Sequence, residues 1–207
     1  MTPDSISLLR LFQLADSALP IGGSAHSFGL ETLVEEGGLE PNGVEDFLRG
    51  YLEECGRLEA AFIRLAWEGS NLAQLNLEYG ARKLARESRE ASLKLGRRFV
   101  ELVNAFIDAP VLDSGLYYCI AFGAAGAVLG IDKNTTALAY LHQSVAGLIS
   151  ACQRLMALGQ VAAGKILWRL KPVLARAAEN EEVWCFSPYP ELASMRHGLL
   201  ETRLFIS

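Results

Sequence analysis

From Ser5 to Asp16 the apolar side chains fall at Ile6, Leu8, Leu9, Leu11, Phe12, Leu14 and Ala15, a broad stripe with the period of an α-helix. The same spacing returns through Phe47, Tyr51, Leu52, Leu58, Phe62 and Trp67, through 71–85 and 88–107, and through Tyr140, Leu148, Cys152 and Leu155. The residues that fill these stripes are good helix formers: 34 Leu and 27 Ala stand against 10 Val and 9 Ile, the β-branched residues that favour strands. The pattern predicts an all-α fold. With 207 residues it suits one multi-helix domain over 1–207 that can bury a sizeable core, with about 187–207 as a C-terminal tail or arm.

Breakers divide the stripes. Pro20 blocks the first helix, and Gly22 and Gly23 can turn where other residues cannot. A short helix over Ser24–Glu36 is closed by Gly37-Gly38. Asn42 with Glu45 three residues later resembles a capping box, opening a long helix to Trp67. Two amphipathic helices follow over Asn71–Ala85 and Ser88–Ile107. The uncharged run Ser114–Ile131 approaches membrane-spanning length, but Gly115, Gly123, Gly126 and Gly130 interrupt it and Asp113 and Asp132 flank it. A buried central helix, its small residues allowing close helix contact, is the better reading. Thr135 or Thr136 caps the next helix; then come 160–171, a break or kink at Pro172, a continuation to about Ala178, and a last helix within Glu191–Glu201.

A formal net charge of −5 supplies no global field toward nucleic acid. Arg82-Lys83, Arg86, Arg89, Lys94 and Arg97-Arg98 alternate with Glu87, Glu90 and Glu101, which reads as a solvated or partner-facing helix surface. Cys55, Cys119, Cys152 and Cys185 show no metal or redox spacing and read as free thiols in a reducing, cytoplasmic compartment. Met1-Thr-Pro-Asp-Ser lacks the basic region and apolar run of a leader. A mean hydropathy of +0.21 implies apolar surface that meets another subunit.

Three fragments imitate chemistry. Gly159-Gln-Val-Ala-Ala-Gly-Lys165 fits a P-loop until Ile166 replaces the magnesium-binding hydroxyl, and it follows a helix rather than a strand; it reads as a helix start with closely packed glycines. Gly22-Gly-Ser-Ala-His26 resembles part of a nucleophile elbow without its closing glycine, so Ser24 reads as a helix cap. His197 and Glu201, four apart, would share a helical face, but two ligands make a weak metal site. His26 could bind a metal only with ligands from elsewhere and otherwise caps or packs.

Leu14–Glu31, above all Ala-Leu-Pro-Ile-Gly-Gly followed by His-Ser-Phe-Gly-Leu-Glu, resembles the urease accessory protein F family, UreF. So do Glu90-Ala-Ser-Leu-Lys-Leu-Gly96, Phe122–Gly130, Leu158-Gly-Gln160, Ser194-Met-Arg-His197 and Thr202-Arg-Leu-Phe-Ile-Ser207, in order along the chain. The resemblance implies an all-helical, non-catalytic protein that dimerises, binds the accessory protein UreD or UreH, and through that complex recruits the GTPase UreG. The assembly would deliver nickel to apo-urease and regulate the GTPase, with no resident cofactor on this chain. It further implies an N-terminal partner surface of Pro20, Ile21, Gly22, His26, Ser27, Gly29 and Glu31. The C-terminal contact segment would be Arg203, Leu204, Phe205 and Ser207, with Arg196 and His197 in the same region, and Arg203 between apolar neighbours could order on a partner. Two positions depart from the family pattern: Ser24 stands where many members carry an aromatic, and Ile206 where many carry an arginine. The other readings of the residues are a helical hydrolase using Ser24 and His26, and a protein that binds nickel itself through His26 or His197.

Overall fold

The computed structural model describes residues 5–207. Met1–Asp4, where the lack of a leader was read, lie outside the described residues. In chain order the helices are α1 (Ser5–Leu14), α2 (Leu30–Glu35), α3 (Val44–Tyr51), α4 (Arg57–Trp67), α5 (Leu72–Arg82), α6 (Arg86–Ile107), α7 (Tyr118–Val128), α8 (Lys133–Leu155), α9 (Gln160–Arg169), α10 (Lys171–Ala178) and α11 (Pro188–Arg196). Among the described residues there is no strand, and the all-α expectation holds.

The middle of the fold is α7, whose residues from Tyr118 to Gly126 are all buried. Its small residues let neighbours approach: a methyl added at Gly123 would collide with the Ile63 backbone of α4, and one at Gly126 with the Thr136 side chain of α8. Phe99 of α6 stacks on Phe122 of α7 with ring centres 5.2 Å apart, and Tyr140 of α8 packs against Tyr118 at 5.2 Å. The buried central helix expected within 114–131 is therefore present but shorter, and Gly115 and Gly130 lie outside it in open space. Among the described residues no helix is long and apolar enough to cross a membrane.

Local chemistry moves several ends. Asp132 caps α8, its carboxylate accepting the Thr135 N–H at 2.9 Å and the Thr135 hydroxyl at 2.8 Å, so neither threonine is the cap. The Asn42 capping box is unused: Gly43 precedes α3, and Glu45 meets Arg49 at 3.4 Å and Arg169 at 2.6 Å. The long helix to Trp67 does form, interrupted by a π-helical turn over Leu52–Gly56. Pro172 falls in the first turn of α10, where its missing N–H costs no hydrogen bond, and the kink is a break at Leu170. The fragment 159–165 opens α9, and open space lies beside Gly159 and Gly164, so these glycines serve no close packing.

The basic run is not all solvated. Lys83 is half-buried beside Glu59 with Nζ 3.8 Å from its carboxylate, which also accepts the Tyr79 hydroxyl at 2.9 Å and the Tyr51 hydroxyl at 3.3 Å. Burial pulls the Lys83 ammonium down, but the Glu59 carboxylate outweighs it and holds it above the ordinary lysine value. Cys55, Cys119 and Cys152 are buried free thiols as expected, and Cys185 is half-buried.

Candidate partner-binding site

The Pro20 segment is a folded turn whose job is to receive the C-terminal tail. After α1 the Asp16 carboxylate accepts the Ala18 N–H at 2.8 Å, and Gly22 turns the chain at φ +86. Gly23–Ala25 then make one 3-10 turn, His26 is extended, and α2 starts only at Leu30. The helix expected over Ser24–Glu36 is thus half its length, because the backbone of 25–28 bonds to the tail instead. Gly29 is required twice over. Its φ is +90, and a side chain there would sit 2.8 Å from the Pro190 carbonyl and 2.9 Å from the Ser194 nitrogen of α11.

Residues 203–207 run across this turn, bent at Leu204 and Phe205. Ile206 N–H donates to the Ala25 carbonyl at 2.8 Å, and the Ser207 main-chain oxygen accepts from the Ser27 hydroxyl at 3.0 Å and the Phe28 N–H at 3.3 Å. The Ser207 hydroxyl pairs with His26 Nδ1 at 2.7 Å. The side chains divide: Phe205 is 4 % exposed, whereas Leu204 is 62 % and Ile206 63 % exposed. Arg154, from the last turn of α8, closes the join. Its guanidinium donates to the Ser24 carbonyl at 2.6 Å and lies 4.1 Å over the Phe205 ring.

A buried carboxylate ties the tail to the helices. Glu31 accepts the Leu204 N–H, the Phe205 N–H at 3.1 Å and His197 Nε2 at 2.8 Å. The other ring nitrogen of His197 meets Glu87 of α6 at 2.9 Å. Burial pushes the Glu31 carboxyl up, but the bonds from Leu204, His197 and Phe205 outweigh it and hold it below the ordinary carboxylate range. Beside this cluster the Ser88 and Ser194 hydroxyls bond across α6 and α11 at 2.7 Å.

The residues expected to form a partner surface therefore separate into two sets. His26, Ser27, Gly29, Glu31, His197, Phe205 and Ser207 are buried and build the platform. Pro20, Gly22, Arg203 and Leu204 are exposed, as is Arg196, paired with Glu36 at 2.7 Å, and Ile21 is half-buried. The arm at 187–207 is docked on its own chain; the expectation that the tail orders on a partner is corrected by its main-chain bonds to residues 25–28. His197 does not share a helical face with Glu201, because α11 ends at Arg196 and a 3-10 turn follows over His197–Leu199. Ser24 caps no helix, and His26 pairs with Ser207 rather than Ser24, so the hydrolase constellation is not assembled. Burial, chiefly, and Lys94 hold the His26 imidazole below its ordinary value. Both His197 nitrogens are engaged by carboxylates, and among the described residues no three His, Cys, Asp or Glu are grouped to hold a metal ion.

Sequence reasoning missed Arg154, Glu87 and Ser88. The one arginine of α8, in its last turn, was the only local sign of the first.

The family model UreF matches residues 40–171. A protein named urease accessory protein UreF from a Nostoc species is 34 % identical, over 96 % of this chain and 95 % of its own length. The chain belongs to the UreF family. Proteins of the same name from Trichormus variabilis and a Bradyrhizobium species are 33 % and 32 % identical, covering 96 % and 99 % of this chain and 95 % and 93 % of theirs. The family name is that of a urease accessory protein and not of an enzyme, in keeping with the non-catalytic reading.

Proposed function

We propose that this chain acts as a scaffold in urease maturation, binding a UreD or UreH partner and through it the GTPase UreG, so that nickel reaches apo-urease. The observation that supports the reading is the likeness, over nearly the whole chain, to proteins named urease accessory protein UreF. The contact strip consists of Arg203, Leu204 and Ile206 with Pro20 and Gly22, all exposed on a rigid platform. A strip that is already ordered binds without the entropic cost of folding, which favours a specific, tight encounter. Ile206, in place of an arginine, makes that strip more apolar, so burial contributes more to contact and charge less. Regulation of UreG, a cytoplasmic location and a homodimer belong to the same reading. Ile6, Leu9 and Phe12, exposed on one side of α1, offer apolar surface for the second copy.

Size exclusion with light scattering, using the UreD/UreH and UreG homologues of the same organism, tests this. The full chain should co-elute with both, and Arg203→Ala with Leu204→Asp should abolish co-elution while leaving the melting curve unchanged, since neither side chain is buried. Co-elution that survives the double change would remove the strip from the interface. No complex with the full chain would overturn the scaffold reading itself.

A further inference from the structure

The segment 179–187 between α10 and α11 is laid over the α3–α4 helix run as a strap. At one end Asn180 accepts two bonds from the Arg57 guanidinium, at 3.2 and 3.0 Å, and its amide donates to the Arg57 carbonyl at 2.9 Å. At the other end the Phe186 N–H donates to the Glu54 carboxylate at 3.0 Å. Between these ties the strap alternates: Val183 and Cys185 pack inward against the core, while Trp184 and Phe186 are 61 % and 67 % exposed. The two ties bracket Cys55 on the helix and Cys185 on the strap. They hold the two cysteines to the same short stretch between strap and helix, with the Ser187 hydroxyl 3.1 Å from the Cys185 sulfur.

We propose that Cys55 and Cys185 are an oxidation site, in which a hydroperoxide oxidises Cys185 and Cys55 resolves it to a disulfide that fastens the strap to the helix run. The Cys185 thiolate attacks one peroxide oxygen; the O–O bond breaks, hydroxide leaves and Cys185 becomes a sulfenic acid. The Cys55 sulfur then attacks the Cys185 sulfur, the S–O bond breaks, and the Cys55 proton leaves with that oxygen as water. The two sulfurs lose two electrons and the peroxide gains them.

The division of roles follows from the surroundings. Cys185 is half-buried and within reach of solvent, whereas Cys55 is buried beneath it. The Cys55 thiol, opposed by burial and helped by Ser187, lowers the Cys185 thiol to about 7, so part of it is thiolate at neutral pH. Cys185 in turn, with burial, pushes Cys55 well up and keeps it protonated until a sulfenic acid lies against it. Cys119 and Cys152 are fully buried on α7 and α8 and take no part. The pair lies away from the exposed tail strip, so its test does not depend on the scaffold reading.

The experiment treats the reduced full chain with equimolar hydrogen peroxide and maps peptides without reduction. The expected result is a cross-linked peptide joining Cys55 to Cys185 and a fall from four free thiols to two, reversed by dithiothreitol. In Cys55→Ser, dimedone should trap a sulfenic acid at Cys185, and in Cys185→Ser the rapid thiol loss should vanish. Wild-type mapping decides even if a variant fails to fold. Four thiols remaining after treatment, a covalent dimer through Cys185, or over-oxidised Cys185 beside free Cys55 would each overturn the proposal.

Discussion

Replacing Glu31 with alanine should release the tail without unfolding the protein. The carboxylate accepts two tail amides and holds one side of His197, and all three donors lie in or at the edge of the interior. Each orphaned buried donor costs about 1–3 kcal/mol, and removing one member of a buried charged network about 3–5 kcal/mol. Against this, what still holds residues 203–207 is burial of Phe205, about 1.5–3 kcal/mol, the Arg154 contact on its ring, about 1–2 kcal/mol, and the bonds of Ile206 and Ser207 to residues 25–28, about 0.5–1.5 kcal/mol each. The loss falls on the tail and not on the core, so local opening of the tail should become far more frequent while the helices around α7 stay closed. Hydrogen exchange resolves the two: the amides of Leu204, Phe205 and Ile206 should exchange about a hundredfold faster or more, and those of α7 should not change. Glu31→Gln keeps one acceptor oxygen and should show a smaller effect. Tail amides as protected in the alanine variant as in the wild type would refute the argument, as would tail and α7 amides loosening together.

Acid should open the same join. Because the Glu31 carboxyl is held below its ordinary range in the folded chain, its contribution is full above that range and is lost as pH falls through the lowered value. Tail resonances followed by NMR should therefore change in two steps on acidification, first as His26 protonates below its ordinary value beside Ser207 and last as Glu31 protonates below the ordinary carboxylate range. Arg154→Ala should destabilise tail docking by about 1–2 kcal/mol, with Arg154→Lys recovering only part, since an ammonium cannot both reach the Ser24 carbonyl and lie flat on Phe205; tail exchange measures both. Gly29→Ala combines a left-handed backbone with collision against α11, and should cost about 2–4 kcal/mol in a denaturant melt. A cost under about 1 kcal/mol would mean α11 can retreat freely.

What could be read along the chain was local. Helix periodicity placed the elements from α1 to α10 to within a few residues, apart from α2, which starts at Leu30 rather than Ser24, because an amphipathic stripe is set by residues three and four apart. Pro172 marked a break for the same reason, since its effect is on its own turn. Asp132 could have been read as well: an acceptor three residues before Thr135 is a cap signal, and the hydroxyl of Thr135 drew attention from it. Gly29 was visible as a glycine but not as the place where α11 touches the chain. What tertiary structure alone decided are the pairings across long separations: Glu31 with His197, Arg154 with Phe205, Lys83 with Glu59 and Arg57 with Asn180. Local backbone bonding selects the helices, whereas the choice of which faces meet is collective. A stripe that will bury in the core, a tail that folds back and a surface kept for a partner carry the same apolar pattern until packing distinguishes them.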